Sequence, residues 1–504
     1  MRVDSKRIAK NASFLYIRMI LLMIITFYTM RIVLRALGTE DFGLYNIVGG
    51  IVVLLSFIQS SMTVAFQRFI SYELGKGNNE SVNRAFKGGM TVSIIFIILI
   101  IIILESVGLW AVNKFLSIPS DKMMAANIIY QCSIFTFIFN FLRIPYQALI
   151  ISHEKMSFFS IMSIVDGIIK LGIAFIILWV GNDKLIMYGI LILIGAILST
   201  ICYKIYCTRI FESGRYNWYW DRSQCMKILS FSGYSMVISV ANVVSQQGGN
   251  ILLNLFSGLV ANAAFGIANQ VGGAIMSCAS SFQTAFNPQI VKLHANGETQ
   301  LLNTFIERTS LFSYILLLIV GVPVIFHMKW GLSLWLGEVP EYSVQFCIWI
   351  IVYQMIDALQ APLNTFIYAT GTIKKYSIWL SGLLVLNLPL SAVLLLLGFS
   401  PVWVLIVRVV INFTSAIIRC SYAERNFEFS YHMYMKMISR RLIPITFLTV
   451  GSCYMINLFI NCGNELYNLV LSILVTMIIS YYIGLSSKER QRIIEILQSK
   501  FKKN

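Results

Sequence analysis

Charge is scarce in this chain. Only 12% of its 504 residues are Asp, Glu, Lys or Arg, and the acidic ones number 22 against 39 basic. An ordinary soluble domain carries about twice that charged fraction, so a water-facing surface for the whole chain is excluded. Histidine is scarcer still: His153, His294, His327 and His432 stand alone, with neither metal-ligand spacing nor a catalytic pair. The nine cysteines (Cys132, Cys202, Cys207, Cys225, Cys278, Cys347, Cys420, Cys453 and Cys462) are odd in number and lack CxxC spacing. They read as small apolar helix residues, which sets aside a disulfide framework and a thiolate metal centre. Long outer loops are missing as well. The longest, between His327 and Ser343, is too short to fold as a domain.

What fills the chain instead is hydrocarbon. With 58% hydrophobic residues and a mean hydropathy of +0.76, apolar runs recur from end to end. A membrane-crossing helix needs roughly 20 such residues, and that criterion yields about fourteen spans. In the first half they fall near 11–36, 42–68, 87–111, 123–150, 157–180 and 185–207. The second half gives 228–256, 259–290, 303–327, 343–370, 375–398 and 401–422, followed by 442–461 and 464–484. The fold class expected is all-α and integral to the membrane. The first span is long and has no small-residue cleavage site, so it is expected to be retained.

The chain also repeats itself. Phe42-Gly43-Leu44-Tyr45-Asn46-Ile47-Val48-Gly49-Gly50 returns as Phe265-Gly266-Ile267-Ala268-Asn269-Gln270-Val271-Gly272-Gly273. After a three-residue slip, Ser60-Ser61 and Ala65-Phe66-Gln67 return as Ser280-Ser281 and Ala285-Phe286-Asn287. An even number of spans separates the copies, so the repeat is parallel. Two six-helix lobes follow, 1–208 and 228–425, joined by a linker at 209–227. Two extra spans occupy 426–485, and a tail runs from 486 to 504. The paired glycines and the matched Asn46 and Asn269 are expected to serve close helix contact.

Lys and Arg concentrate on alternate loops, beginning with Arg2, Lys6, Arg7 and Lys10, which places both termini in the cytoplasm. The net charge of +17 is then a topology signal, and a nucleic-acid partner is not expected. The linker stretch Arg215-Tyr216-Asn217-Trp218-Tyr219-Trp220 has interfacial composition. In the tail, Ile493, Ile494, Leu497 and Phe501 share one side while Lys500, Lys502 and Lys503 can meet anionic lipid.

Ionisable residues within spans are costly and ask for a partner or a task. The basic ones singled out are Arg18, Arg31, Arg68, Arg143, Lys170 and Arg408; the acidic ones are Asp166 and Asp357. Excess positive charge favours an anionic cargo, since Arg presents a fork of donors suited to phosphate oxygens. Asp166 and Lys170, four apart, could neutralise each other. Arg68, Arg143, Arg31 and Arg18 all have routes to an interface. In span seven, Ser245-Gln246-Gln247-Gly248-Gly249-Asn250 offers amides for sugars or for helix contact, with Gln246, Gln247 and Asn250 as candidate ligands. Asp357, with Asp166 behind it, is the candidate for ion coupling. The competing reading pairs Asp357 with Arg408. No metal site or organic cofactor is expected beyond H+ or Na+ as coupling ion.

The runs Asn11-Ala12-Ser13-Phe14-Leu15-Tyr16-Ile17-Arg18-Met19 and Leu37-Gly38-Thr39-Glu40-Asp41-Phe42-Gly43-Leu44-Tyr45-Asn46, with Gln67-Arg68-Phe69-Ile70-Ser71-Tyr72-Glu73-Leu74-Gly75-Lys76-Gly77, resemble bacterial O-antigen and capsule flippases. These are the Wzx-like group of the multidrug/oligosaccharidyl-lipid/polysaccharide exporter superfamily. The resemblance implies a MATE-like fold in a bacterial cytoplasmic membrane. It also implies a cargo of undecaprenyl-diphosphate-linked oligosaccharide, ion-coupled alternating access, and polysaccharide polymerase and glycosyltransferases as further partners. The second lobe carries few buried cations, so phosphate is expected to favour the first. A multidrug and toxin extruder of the same superfamily is the alternative, and a peptidoglycan-precursor flippase is a near relative. A membrane glycosyltransferase or polymerase would rest on Glu40-Asp41, which align with Ala263 and Ala264 in the repeat and have no long loop to complete a site.

Overall fold

The computed structural model describes residues 5–491 except 54, 116, 117, 119, 180, 182, 460–463 and 488. Side chains at 5–10, 27, 39, 40, 46, 47, 53, 115 and 259 are also outside the description. The expectations for Asn46, Glu40, the first basic cluster and the tail from Ile493 onward therefore lie outside it. Every regular element among the described residues is helical. Twelve helices are long and apolar enough to cross a membrane, and a bent pair, Asp41–Val52 with Ser56–Gly75, makes a thirteenth. The remaining expected span, 259–290, is the second limb of a helix that runs on from span seven.

The chain divides into two compact units, Ala9–Ser239 and, apart from a few N-terminal residues, Val240–Asn504. In the first, α1 (Ser5–Val53) and α2 (Ser56–Gly75) precede α3 (Asn79–Ile103), α4 (Met123–Ser152), α5 (Met156–Trp179) and α6 (Lys184–Ile210). α4 is the central helix, packed on α2, α3 and above all α6. Phe66, Phe86, Tyr130 and Phe141 are almost wholly enclosed there. Buried aromatic area of this kind holds helices together where lipid removes the usual difference between inside and outside. The linker is tied down by Thr91, whose hydroxyl donates to the Tyr219 carbonyl at 2.9 Å and lies 3.1 Å from Tyr216 Oη. Trp218 and Trp220 remain exposed beside it.

The second unit continues along α7 (Arg222–Ala295), then α8 (Thr299–Phe326), α9 (Met328–Leu336), α10 (Ser343–Thr370), α11 (Lys374–Val385), α12 (Asn387–Leu396) and α13 (Trp403–Asn426). After them come α14 (Tyr431–Met437), α15 (Ile443–Phe459) and α16 (Glu465–Ile479). Here α10 is the hub, against α8 and α13. At the start of the tail, Glu489 accepts from Arg441 at 3.2 Å and lies 3.7 Å from Arg308.

Two features of the repeat acquire a physical cause. Spans one and two, and again seven and eight, meet at a glycine with positive φ, Gly38 at 78° and Gly258 at 76°. A β-carbon is unfavourable in that region, so glycine marks both breaks. The three-residue slip also has a location. Three more residues separate Phe42 from Ser60 than Phe265 from Ser280. The extra length coincides with the 51° bend between Asp41–Val52 and Ser56–Gly75, whereas α7 is unbroken beyond Gly258.

Candidate functional site

In the first unit, polar groups gather where α4, α5 and α6 meet α1. Arg143 on α4 donates through Nη1 to Asp166 Oδ2 on α5 at 2.9 Å and to Ser199 Oγ on α6 at 2.7 Å. Its guanidinium carbon lies 5.4 Å from the ring centre of Tyr203, a residue with no exposed surface. Arg18 on α1 interacts electrostatically with the same tyrosine and lies over Phe159, 4.8 Å from its ring centre. Among the described residues Arg18 has no ion-pair partner, and Nε of both Arg18 and Arg143 is buried without a protein acceptor. Such groups are expensive unless an oxygen completes them. The cluster thus holds two guanidiniums against one carboxylate.

This corrects the local reading of Asp166. It pairs across the bundle with Arg143, not along its own helix with Lys170, and Arg143 is held inward and does not reach for an interface. Lys170 and Arg31 are exposed on their helices. Arg68 is ringed by Phe69, Tyr72 and Phe231 at 4.5, 5.0 and 5.7 Å. Glu105, which falls within the expected third span and was absent from the acidic pair, accepts from Gln131 at 3.2 Å.

The second unit contains a larger and closed polar network. On α10, Tyr353, Asp357, Gln360 and Asn364 follow a 4-3-4 spacing that keeps them on one face; Arg408, Asn412, Ser415 and Arg419 do the same on α13. Arg408 covers the Tyr353 ring at 4.4 Å, and Asn412 Nδ2 donates to the Tyr353 carbonyl at 3.1 Å. Gln360 Nε2 donates to Asn412 Oδ1 at 2.6 Å. Arg419 donates from Nη1 to Gln360 Oε1 at 2.6 Å and from Nε to Tyr376 Oη at 2.9 Å, and that hydroxyl donates on to Asn364 at 2.8 Å. Asp357 feels both Arg419 and Arg408, Arg419 more strongly. The expected pairing with Arg408 is therefore half of the arrangement. Arg419 went unnoticed in the sequence, although its spacing from Arg408 would have found it.

The span-seven amides are divided. Gln246 and Gln247 are exposed, and Asn250 is half-buried with an unpartnered carbonyl oxygen. Beside them Ser245 accepts from Asn387 Nδ2 at 3.1 Å, and a β-carbon on Gly248 would stand 2.5 Å from Leu388. Close helix contact is the visible use of that glycine. His327 is paired with Glu465 at 2.8 Å, and among the described residues no three His, Cys, Asp or Glu converge as a metal site would.

The hubs α4 and α10 also align. Arg143-Ile144-Pro145-Tyr146-Gln147 matches Gln360-Ala361-Pro362-Leu363-Asn364, and Ser199 and Tyr203 match Ser415 and Arg419. The contacts agree with the alignment: Arg143 meets Ser199, and Gln360 meets Ser415 at 3.4 Å. The arginines at these interfaces differ in number and helix: Arg143 on α4 in the first unit, Arg408 and Arg419 on α13 in the second.

Residues 8–294 match a family model described as "Polysaccharide biosynthesis protein". No curated protein matches the chain by sequence. Among solved structures, it is similar to a point mutant of a MATE transporter, with a TM-score of 0.72 at 12% identity, over 86% of this chain and 98% of that one. An outward-facing multidrug resistance MATE family transporter of the MOP superfamily gives a TM-score of 0.71 at 12% identity, with the same coverage. A Vibrio cholerae MATE transporter gives 0.69 at 14% identity, over 84% of this chain and 97% of that one.

Proposed function

The chain belongs to the polysaccharide biosynthesis protein family, and we propose that within it the protein is a flippase for undecaprenyl-diphosphate-linked oligosaccharides. The multi-pass membrane fold, its likeness to MATE transporters and the family match support a transporter. The finer reading rests on one observation: Arg18 is a half-buried guanidinium with no carboxylate partner among the described residues, beside an Arg143 already balanced by Asp166. An anion carrier needs such a surplus, whereas a carrier of cationic drugs needs carboxylates left over. The pyrophosphate of a lipid-linked glycan supplies the missing oxygens. Arg31, Lys170 and Arg408 add positive charge to the two units, and Gln246, Gln247 and Asn250 are the neutral ligands of the second. Movement runs from the inner to the outer leaflet of a bacterial cytoplasmic membrane with both termini inside, for O-antigen, capsule or other surface polysaccharide. Asp357 is the first candidate to take the coupling ion.

Complementation tests this reading. Arg18→Ala combined with Lys170→Ala abolishes surface polysaccharide in a flippase-deficient strain while protein levels hold. Normal polysaccharide from that variant contradicts it.

A further inference from the structure

The first unit contains a cavity of about 440 Å³. It lies at the 51° bend, with Gly49, Gly50 and Val52 on one side of the bend and Ser56 and Gln59 on the other. Its remaining wall comes from α4 and α6. The polar lining is Tyr45, Ser56, Gln59, Ser133, Thr136 and Asn140, without a charged residue. Among the described residues, the side chains of Ser56, Ser133, Thr136 and Asn140 make no hydrogen bond, and Thr136 Oγ1 is fully enclosed. A polar site with open donors and acceptors invites a polar occupant.

The alignment of the hubs shows why the cavity exists. Without a gap from the matched prolines, Ser133, Thr136 and Asn140 fall opposite Ile350, Tyr353 and Asp357; from the matched serines, Gly189 and Ile192 fall opposite Leu405 and Arg408. In the second unit that volume is occupied. Ile350 presses on Gly272 so closely that a β-carbon there would collide with it, and Arg408 caps the Tyr353 ring. In the first unit a β-carbon on Gly49 would meet only Ser133 Oγ, at 3.8 Å, and one on Gly50 would meet nothing within 4 Å. Small residues at the equivalent positions, together with three additional residues at the bend, leave one lobe hollow.

We propose that this cavity is a subsite for one neutral sugar residue, a hexose or N-acetylhexosamine, of the lipid-linked glycan. The proposal rests on the flippase reading above. The volume lies within the range of small-molecule sites. Hydroxyl and amide groups match the hydroxyls of a pyranose, and the Tyr45 and Phe137 rings supply faces for its C–H surface. The lining carries no charge to pair with a phosphate, a nucleotide or a drug cation, which favours a neutral occupant. The cavity would act as a reader of cargo, leaving the pyrophosphate to the arginines.

The test measures binding to the purified full-length protein in nanodiscs. The probes are bare undecaprenyl diphosphate and a panel of undecaprenyl diphosphates bearing one neutral hexose or N-acetylhexosamine. At least one sugar raises wild-type affinity about tenfold, the equivalent of one or two good hydrogen bonds. Ser133→Ile and Thr136→Tyr install the residues that the other lobe accepts; they remove the gain and leave bare-lipid affinity within about twofold. Gly50→Leu fills the same space from the opposite wall and gives a second reading should either variant fold poorly. If no sugar on the panel improves wild-type binding, or if the filled variants keep the gain, the sugar subsite is overturned while the flippase reading stands. If wild type binds neither bare nor glycosylated lipid, the flippase reading itself falls.

Discussion

Arg143 and Asp166 form a 2.9 Å ion pair between α4 and α5, with side chains about four-fifths buried. Neither residue can change alone without leaving a charge in a poor solvent for it. Arg143→Met and Asp166→Asn each lower stability by about 1–3 kcal/mol, and the double variant is less harmed than the sum. Thermal unfolding in detergent, run as a double-mutant cycle, gives the coupling. Strict additivity would remove the pair from the account.

Arg419 holds the second unit's network together through two different nitrogens, on Gln360 and Tyr376. Its loss leaves Asp357 with Arg408 alone and removes the charged donor to the Gln360 oxygen in the interior. Arg419→Leu is expected to cost about 3 kcal/mol or more. Arg419→Lys recovers little, because a single ammonium cannot span the fork of contacts. Melting temperatures of the two variants check this: a lysine variant as stable as wild type contradicts it.

Much of this was legible in the sequence, and the failures have physical causes. The sequence repeat and the surplus of basic residues in the first half follow from spacing and charge, whereas of the paired glycines only Gly272 shows the close helix contact expected of them. The slip between copies was visible too, but its consequence, a bend with a hollow beside it, needs coordinates because helix direction is not written in residue spacing. Lys170 is the partner a sequence can offer Asp166, because helical neighbours four apart are the pairs it makes visible. The tertiary partner Arg143 won because it also satisfies Ser199. Arg419 lies near the end of its expected span, 401–422, where a basic residue is ordinarily part of the loop charge, although only 8% of it is exposed. Position along a span is a poor guide to depth when a neighbouring helix carries matching amides.

Asp357 lies between Arg408 and Arg419 and is the group assigned here to ion coupling. Asp357→Asn keeps a similar shape and removes the charge. It is expected to leave downhill movement of cargo in vesicles measurable while erasing the response to an imposed proton or sodium gradient. An unchanged gradient response returns Asp357 to the structural network alone.

Gly108 lies against the buried Tyr130, whose hydroxyl donates to the Leu104 carbonyl at 2.7 Å. A β-carbon at Gly108 would collide with that hydroxyl. Gly108→Ala therefore costs about 1–3 kcal/mol. Adding Tyr130→Phe, which removes the oxygen, restores part of the loss even though it deletes a hydrogen bond. Unfolding midpoints of the single and double variants check the sign; a double variant weaker than the sum of both changes contradicts it.

The central claim is that an arginine surplus in the first unit serves a lipid-linked pyrophosphate. It is tested most directly in proteoliposomes. Undecaprenyl-diphosphate-linked oligosaccharide is placed in one leaflet, and its appearance in the other is followed with a membrane-impermeant oxidant of the glycan. Wild-type protein accelerates the transfer over protein-free liposomes, and Arg18→Ala slows it about tenfold or more at unchanged protein content, the equivalent of one lost charge-assisted contact. Transfer no faster than in empty liposomes, together with uptake of a cationic drug by the same preparation, would contradict the account and place the protein among the drug extruders.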